Sequence, residues 1–274
     1  MTSRVLVNGR VDAAVSPLDR GLLYGDGLFE TIRFTRGTAP LWQQHMQRLA
    51  GGCARLALPS PEPAVLASEA RQVLEGDGDA VVRITLTRGT GQRGYAPPAQ
   101  TDATRIVSAH PLPMISADWY RDGIRVRSCT LRLASQPRLA GIKHLNRLEQ
   151  VLARAEWADP DVVEGLLFDQ DDQLVSATAA NVFGVLDGAL LTPALDGSGV
   201  AGVLRAALLD FFPQCRVEAI SKETSMRFDE MFLCSSVRGV LPVREVDGRA
   251  LPVGHWARAA QAQWRALGFP GGEA

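Results

Sequence analysis

The sequence predicts an α+β fold built from two halves, on the basis of three observations. Residues 82–86 alternate apolar and polar side chains, as half-buried strands do. Residues 43–58 instead carry apolar side chains three and four positions apart, as amphipathic helices do. The proline-rich stretch Pro111-Leu112-Pro113 interrupts these patterns near the middle of the chain. We therefore expect an N-terminal α/β domain over 1–112, an interdomain linker over 113–123 and a C-terminal α+β domain over 124–274.

The N-terminal half is predicted to begin with a hairpin, because Asn8-Gly9 separates two short apolar runs. A strand over 29–34 follows, and two amphipathic helices come next. A loop rich in glycine and proline then joins two further strands. The predicted bounds are 5–11 for the hairpin, 43–58 for the first helix, 88–104 for the loop, and 82–86 and 105–109 for the later strands.

The C-terminal half is predicted to open with a strand over 124–133. The loop 135–141 then delivers Lys143 to the start of a helix with a buried apolar stripe. Asp-rich and Asp-Gly turns follow, which favour an antiparallel meander. The stripe would consist of Leu145, Leu148, Leu152 and Ala155; the later elements are strands over 165–169, 173–176, 181–185, 189–192 and 231–234, and helices over 200–212 and 255–267.

Composition argues against several classes of protein. The 274 residues carry a formal net charge of −1, unlike a nucleic-acid-binding or polybasic membrane protein. No apolar run approaches the roughly 18–20 residues that span a bilayer, and the N-terminus lacks the apolar core of a signal peptide. The four cysteines form no CxxC pair, so buried thiols are expected. We therefore expect a soluble, cytoplasmic protein.

Motifs of other enzyme classes lack the context that they need. Residues 89–94 match G-x-G-x-x-G, but two prolines soon after oppose the helix of a dinucleotide site. This segment is either a tightly turned loop or one that places Arg93 and Tyr95 over a pocket. The acidic run at 169–172 fits a solvated turn. No G-x-S-x-G elbow and no H-x-x-x-H pair occur, so we expect no metal.

The scarcity of lysine is more informative. Only Lys143 and Lys222 are lysines among the 29 Lys and Arg residues. A lysine amine can lose its proton and condense with an aldehyde, whereas arginine stays protonated. The segments 197–202 and 234–239 offer either ordinary capping or backbone N–H groups for a phosphate. Together with Arg48, these groups would build a site for a phosphorylated aldehyde.

Six collinear parts of the chain resemble the class IV (fold type IV) pyridoxal-phosphate enzymes, which include aminotransferases and a lyase. No single part is specific, but together they cover nearly the whole chain. The resemblance implies a two-domain fold with pyridoxal 5'-phosphate at the domain interface, and a homodimer. The parts are Asp19-Arg20-Gly21 with Tyr24-Gly25-Asp26-Gly27-Leu28-Phe29-Glu30-Thr31, His45-Met46-Gln47-Arg48-Leu49, Leu139-Ala140-Gly141-Ile142-Lys143-His144-Leu145-Asn146-Arg147-Leu148-Glu149, Ala180-Asn181-Val182-Phe183, Gly199-Val200-Ala201-Gly202 and Ser235-Ser236-Val237-Arg238-Gly239-Val240.

The resemblance also implies roles for individual residues. Lys143 would bind the cofactor covalently and act in catalysis, and Arg48 would pair with the cofactor phosphate. Lys222 matches no catalytic position and is expected at the surface. The other implied residues are Val200, Ala201, Ser235 and Ser236 around the phosphate, and Arg93, Tyr95 and Tyr24 for the substrate.

Within the family, the residues around Lys143 and the segment 91–95 are most similar to the lyase branch. The resemblance implies conversion of 4-amino-4-deoxychorismate to 4-aminobenzoate and pyruvate in folate biosynthesis. Lys143 would take the proton from the ring carbon that bears nitrogen, and pyruvate would leave. The alternatives are a class IV aminotransferase acting on D-amino or branched-chain amino acids, and an inactive relative with a binding role.

One position departs from the family pattern. The family usually has a glutamate beside the pyridine nitrogen, and the corresponding position here is Ala177. A carboxylate there strengthens the electron sink of the cofactor. Its absence favours an elimination that creates an aromatic ring, and it also motivates the inactive alternative. Thr178 or an ordered water would be other partners for the nitrogen.

Overall fold

A computed structural model describes residues 4–270 and divides them into two compact units. Unit 1 contains the described residues up to Leu112, together with Ile142–Asn146. Unit 2 contains Pro113–Gly141 and the chain from Arg147 onward. Residues 1–3 and 271–274, which belong to the predicted domains, lie outside the described residues.

Unit 1 contains an antiparallel sheet of four strands and three helices. The predicted Asn8-Gly9 turn follows the first strand, and Val7 and Arg10 close it by reciprocal backbone hydrogen bonds of 3.0 Å. The second strand of the predicted hairpin is reduced to this single bridge, and the first strand instead pairs with residues 106–108. The elements are β1 (Val5–Val7), α1 (Arg20–Tyr24), β2 (Gly27–Phe34), α2 (Trp42–Leu56), α3 (Pro63–Val73), β3 (Ala80–Thr87) and β4 (Thr104–His110). The strand order is β1-β4-β3-β2.

Unit 2 contains a mixed sheet of nine strands and five helices among its described residues. The elements are α4 (Ala117–Asp122), β5 (Ile124–Leu133), α5 (Leu148–Arg154), β6 (Val162–Asp169), β7 (Leu174–Ala177), β8 (Asn181–Leu186), β9 (Ala189–Pro193), α6 (Val203–Phe211), β10 (Arg216–Glu218), α7 (Lys222–Ser225), β11 (Glu230–Ser235), β12 (Gly239–Val246), β13 (Arg249–Ala250) and α8 (His255–Ala266). The order is β10-β9-β8-β11-β12-β5-β6-β7, and β13 pairs with β12. Residues 113–123, predicted as a linker, carry α4 and belong to unit 2.

The predicted antiparallel meander is interrupted between β7 and β8. β6 pairs with β7 and β8 pairs with β9, both antiparallel as expected. However, β11, β12 and β5 lie between β8 and β6 in the sheet. The residues of β11 are almost all buried, and a strand that is apolar on both faces belongs at the centre of a sheet.

The helix predicted to start at Lys143 starts at Leu148 instead. The Lys143 carbonyl accepts a hydrogen bond from the Phe29 N–H at 2.9 Å, and the Leu145 N–H donates to the Gly27 carbonyl at 3.0 Å. The segment is therefore extended along β2. Its backbone groups are committed to this pairing and are not available to a helix.

The predicted buried stripe of that helix is also wrong. Leu148 and Leu152 are 77% and 60% exposed, whereas Ala153 is fully buried and packs in a core cluster with Trp157. Because Leu145 lies in the extended segment, the helical spacing that began there does not continue through α5. The helix instead packs through a small residue and presents apolar side chains outward.

The described residues contain no helix that is both long and apolar enough to cross a membrane. Within 4–270, no group of three or more His, Cys, Asp or Glu side chains is arranged to hold a metal ion. All four cysteines are free thiols, and three of them are buried.

Candidate active site

The amine of Lys143 lies against the buried ring of Phe29. Its Nζ is 4.2 Å from the ring centroid, and the guanidinium carbon of Arg83 is also 4.2 Å from that centroid. Lys143 reaches the ring because its segment pairs with β2 beside Gly27. A Cβ at Gly27 would lie 2.9 Å from the Leu145 Cδ1 and 2.3 Å from a β3 carbonyl oxygen. Only glycine lets the segment approach the strand this closely.

Next to Phe29 in β2, the carboxylate of Glu30 is buried and orients Arg48. The Arg48 Nε–H donates to Glu30 Oε1 at 2.9 Å, and its Nη2 donates to Oε2. The Nδ1 of His45 lies 2.6 Å from the same Oε2. Because an ionised carboxylate can only accept, Nδ1 carries the proton. His45 and Arg48 are three residues apart in α2, so one face of the helix presents both to Glu30.

Burial and hydrogen bonding set opposite charge states for Glu30 and His45. Burial acts to raise the pKa of Glu30, but hydrogen bonds from Arg48 and His45 outweigh it and lower that pKa to about 2. Burial lowers the pKa of His45 below 6.5 against the attraction of Glu30, and the charges of Arg48 and Lys143 lower it further. The His45 Nε2 is buried without a hydrogen-bond partner among residues 4–270. That arrangement suits a neutral ring, because a proton on Nε2 would be an unsatisfied buried donor.

Arg93 and Tyr95 lie in the loop between β3 and β4, and both are exposed. Tyr24 is close to this loop. Its hydroxyl accepts a hydrogen bond from the Gly94 N–H at 3.3 Å, and its ring centroid is 5.4 Å from that of Tyr95. Unit 1 therefore brings together the three residues that the resemblance assigns to the substrate.

In unit 2, Asn181 fixes the segment 199–202. Its Nδ2 donates to the Val200 carbonyl at 2.9 Å. A Cβ at Gly202 would lie 2.0 Å from the Asn181 Oδ1, so this turn requires glycine. The Ala201 N–H already donates to the Gly141 carbonyl at 2.9 Å, and a bound phosphate would have to compete for it. The helix predicted from Val200 begins at residue 203, which leaves 199–202 as a turn.

Strand pairing brings the end of β11, just before Ser235 and Ser236, next to Asn181. Cys234 of β11 pairs with Asn181 of β8, so the turn after β11 begins next to the residue that holds Val200. The Ser235 Oγ accepts a hydrogen bond from the Arg238 N–H at 3.1 Å. The segment 199–202 and the end of β11 are thus both anchored at Asn181.

Ala177 lies in the core of unit 2 and is 2% exposed. A buried carboxylate on the neighbouring strand, β6, contacts the residue that follows Ala177. Glu164 of β6 accepts hydrogen bonds from the Thr178 hydroxyl and from the Arg238 guanidinium. Thr178, a predicted partner of the pyridine nitrogen, therefore already donates to Glu164.

Lys222 is half-buried at the start of α7, and its Nζ lies 5.7 Å from the centroid of the Phe168 ring. The predicted surface position is therefore only partly exposed. Lys222 belongs to unit 2, whereas Lys143 and Arg48 belong to unit 1.

Sequence reasoning missed Glu30, His45 and Arg83 as parts of the site. One of them had a readable signal. Glu30 lies between Leu28 and Ile32 on the same buried face of β2. A carboxylate at such a position requires a cationic or hydrogen-bonding partner.

Residues 27–246 match the family model of the amino-transferase class IV proteins. This span is well over half of the 274 residues. The chain therefore belongs to the amino-transferase class IV family, and the predicted family is confirmed.

Two lyases and an aminotransferase are among the similar proteins. The chain is 45% identical to the 4-amino-4-deoxychorismate lyase of Pseudomonas aeruginosa, whose crystal structure gives a TM-score of 0.90 over 96% of this chain and 98% of that chain. It is 32% identical to the aminodeoxychorismate lyase of Vibrio harveyi, over 93% of this chain and 97% of the relative. It is 30% identical to a putative branched-chain-amino-acid aminotransferase of Methanocaldococcus jannaschii, over 90% and 89%.

The buried pair of Glu30 and His45 predicts a pH dependence of stability. Because burial lowers the pKa of folded His45 below 6.5, the unfolded chain binds more protons below that pH. The free energy of unfolding therefore decreases as the pH is lowered below about 6.5, by at most about 1.4 kcal/mol per pH unit for one proton. The contribution of Glu30 is lost later, as the pH falls from about 4.5 towards about 2.

Urea unfolding between pH 7.5 and pH 5 checks this prediction. His45→Asn keeps an amide donor towards Glu30 and removes the titrating ring, so its unfolding free energy should fall less steeply than that of the wild type. Equal slopes for the two proteins would contradict the assignment of a neutral, buried His45.

Proposed function

We propose that this chain is a pyridoxal 5'-phosphate-dependent carbon–oxygen lyase that converts 4-amino-4-deoxychorismate to 4-aminobenzoate and pyruvate, a step of folate biosynthesis. The observation that carries the proposal is 45% identity to a 4-amino-4-deoxychorismate lyase over nearly the whole of both chains. The Vibrio harveyi lyase is matched almost end to end as well.

The side chains present fit this cofactor by their chemistry. Its aldehyde needs a primary amine, and Lys143 is the only lysine in the part of the sequence that forms unit 1. Its phosphate needs cations and N–H or O–H donors. Arg48 is a fixed cation, and the turn 199–202 is held by Asn181, which packs so closely on Gly202 that no side chain fits there. We assign Lys143 to the aldehyde and the phosphate to Arg48, Val200, Ala201, Ser235 and Ser236.

When bound, pyridoxal 5'-phosphate supplies an aldehyde that condenses with amines and a ring that accepts electrons. Lys143 would hold this group through its amine, and the Nζ, once free, would take the proton from the ring carbon of the substrate that bears nitrogen. The Phe29 ring, 4.2 Å from Nζ, limits where the amine can lie. The bond from the adjacent ring carbon to the enol oxygen of the three-carbon side chain would then break, the leaving group would take up a proton at its methylene carbon to become pyruvate, and the product ring would become aromatic.

The carboxylates of the substrate need cationic partners. Arg93 is exposed, and Tyr95 lies two residues further along the same loop. Arg83 is a further candidate that the structure adds. Burial lowers the pKa of Arg83, and within 4–270 no ion pair of this guanidinium is found. A substrate carboxylate would supply the missing counter-charge, so we assign carboxylate binding to Arg83 and Arg93.

An aminotransferase acting on D-amino or branched-chain amino acids is the second candidate, supported by the Methanocaldococcus jannaschii relative. Incubation with amino donors and 2-oxoglutarate separates the two candidates. An aminotransferase would form the pyridoxamine form of the cofactor with a suitable donor, whereas a lyase would release 4-aminobenzoate from 4-amino-4-deoxychorismate. The intact set of Lys143, Glu30 and Arg48 speaks against an inactive relative.

Lys143→Ala should abolish both cofactor attachment and product formation. Purified wild-type protein is incubated with 4-amino-4-deoxychorismate, and 4-aminobenzoate is measured by fluorescence. Lys222→Ala is the matched control, because it removes the only other lysine, and it should keep both properties. Borohydride reduction followed by peptide mapping should find the cofactor on Lys143. Cofactor on Lys222, or wild-type protein that yields no 4-aminobenzoate, would overturn the assignment.

Glu30→Gln should weaken cofactor binding. Without its charged partner, the Arg48 guanidinium is no longer held in place for the phosphate. Losing one charge-assisted hydrogen bond costs roughly 1.5–3 kcal/mol, which corresponds to an affinity on the order of ten- to a hundredfold lower. The dissociation constant of the apo-protein for pyridoxal 5'-phosphate is measured by fluorescence titration.

Glu69→Gln is the matched control for Glu30→Gln. Glu69 is also a buried carboxylate of unit 1 that accepts hydrogen bonds from an arginine, Arg105 at 2.9 Å. The Glu69→Gln variant should lower the free energy of unfolding and leave the dissociation constant for pyridoxal 5'-phosphate unchanged. Equal loss of affinity in both variants would show that Glu30 acts only through stability.

We further propose a homodimer that works in the cytoplasm. Free thiols at all four cysteines fit a reducing compartment. On the outer side of α5, Leu148, Val151 and Leu152 are 77%, 60% and 60% exposed and form one apolar stripe that a second copy of the chain would cover.

Light scattering tests the homodimer. The expected mass is twice 29.5 kDa. Leu148→Glu combined with Leu152→Glu should give a monomer, because two charges would be buried without partners at the interface. Val65→Glu, at an exposed apolar residue of α3, should remain a dimer. A monomeric wild type would contradict the proposal.

A further inference from the structure

The loop between β3 and β4 is fastened to α1 by one buried side chain, that of Arg20. The guanidinium donates to three successive backbone carbonyls of the loop, at 2.9 Å to Gly94, 3.0 Å to Tyr95 and 3.3 Å to Ala96. Its Nε donates to Asp26 at 2.9 Å. The side chain is only 5% exposed. A single residue therefore fixes the backbone immediately after Arg93.

We propose that Arg20 is a positioning residue for substrate recognition, which holds the loop so that Arg93 and Tyr95 face the carboxylates of the substrate. This inference rests on the proposed function, because it assigns Arg93 and Tyr95 to that substrate. Arg20 itself contacts backbone, and its effect on the substrate is exerted through the loop.

The fork geometry of arginine explains why this residue type is used. Arginine presents five N–H donors in one rigid plane, whereas lysine has three donors on a single nitrogen. Three carbonyls and a carboxylate in different directions can be satisfied only by the planar group. The loop also comes very close to the side chain, since a Cβ at Gly91 would lie 3.1 Å from the Arg20 Cδ.

Further contacts hold the same loop at its start and middle. The Arg20 N–H donates to the Gly89 carbonyl at 2.8 Å. The guanidinium carbon lies 4.9 Å from the centroid of the Tyr24 ring, and the Tyr24 hydroxyl accepts from Gly94. The side chains of Arg93 and Tyr95 remain exposed. The backbone of the loop is thus fixed while its recognition groups stay accessible.

Arg88 provides an internal comparison. It donates to the same Asp26 carboxylate at 2.7 Å, but its other donors reach the Leu56 and Ala57 carbonyls at the end of α2. Removing Arg20 or Arg88 therefore takes one arginine from Asp26 in each case. Only the removal of Arg20 also releases the carbonyls that follow Arg93.

We call the hydrogen bonds from the Arg20 guanidinium to the loop the Arg20 clamp. Trypsin cleavage after Arg93 tests this clamp without substrate. Arg20→Met should be cleaved there at least about tenfold faster than the wild type, because an opened loop fits a protease better than a fixed one. Arg88→Met should be cleaved at nearly the wild-type rate. Equal acceleration in both variants, or none in Arg20→Met, would overturn the proposal.

Kinetics with saturating cofactor test the role in recognition. Arg20→Met should raise KM for 4-amino-4-deoxychorismate by roughly tenfold, with a much smaller change in kcat, because the loop contacts substrate and not the reacting atoms. Faster cleavage with an unchanged KM would overturn the assignment to recognition. Absence of lyase activity in the wild type would refute the proposed function, and the cleavage rates would still decide the clamp.

Arg20→Lys keeps the proposal testable if Arg20→Met does not fold. It retains the positive charge beside Asp26 but cannot reach three carbonyls. Accelerated cleavage and a raised KM are expected again. Restoration of wild-type cleavage and KM by lysine would show that charge alone is needed, and would overturn the clamp.

Discussion

The pairing of the buried Glu30 carboxylate with Arg48 and His45 is the interaction on which the site in unit 1 depends. Glu30 is 1% exposed, and a buried charge without partners would cost several kcal/mol. Its two partners, Arg48 and His45, both come from α2. Satisfying the charge therefore docks the helix on β2, fixes the guanidinium and orients the ring of His45. One constraint thus serves stability and site geometry together.

Unit 2 holds its candidate phosphate segments with uncharged groups. The amide of Asn181 binds the Val200 carbonyl, and the backbone N–H of Arg238 binds the Ser235 hydroxyl. Backbone amides and hydroxyls bind an anion through their orientation. Unit 1 therefore supplies full charges at fixed places, whereas these turns of unit 2 supply oriented dipoles.

The sequence predicts local features well and long-range pairing poorly. The alternation over 82–86 and the apolar spacing over 43–58 correctly indicated β3 and α2, because both patterns are set by neighbouring residues. The extended segment at Lys143 was predicted as a helix, since its pairing with β2 joins residues more than a hundred positions apart. Arg83 was missed for the same reason. Its approach to Phe29 depends on the register of β2 and β3.

The assignment of Ile142–Asn146 to unit 1, while the residues on either side belong to unit 2, has a consequence for dissection of the protein. A fragment that ends at Leu112 would retain Arg48 and Glu30 but would contain no lysine at all. It would also uncover the Gly27 carbonyl and the Phe29 N–H along one side of β2. Such an open strand edge favours pairing between molecules, so the N-terminal half is not a separable module. Domain-swapping or split-protein designs should keep the segment Ile142–Asn146 together with unit 1.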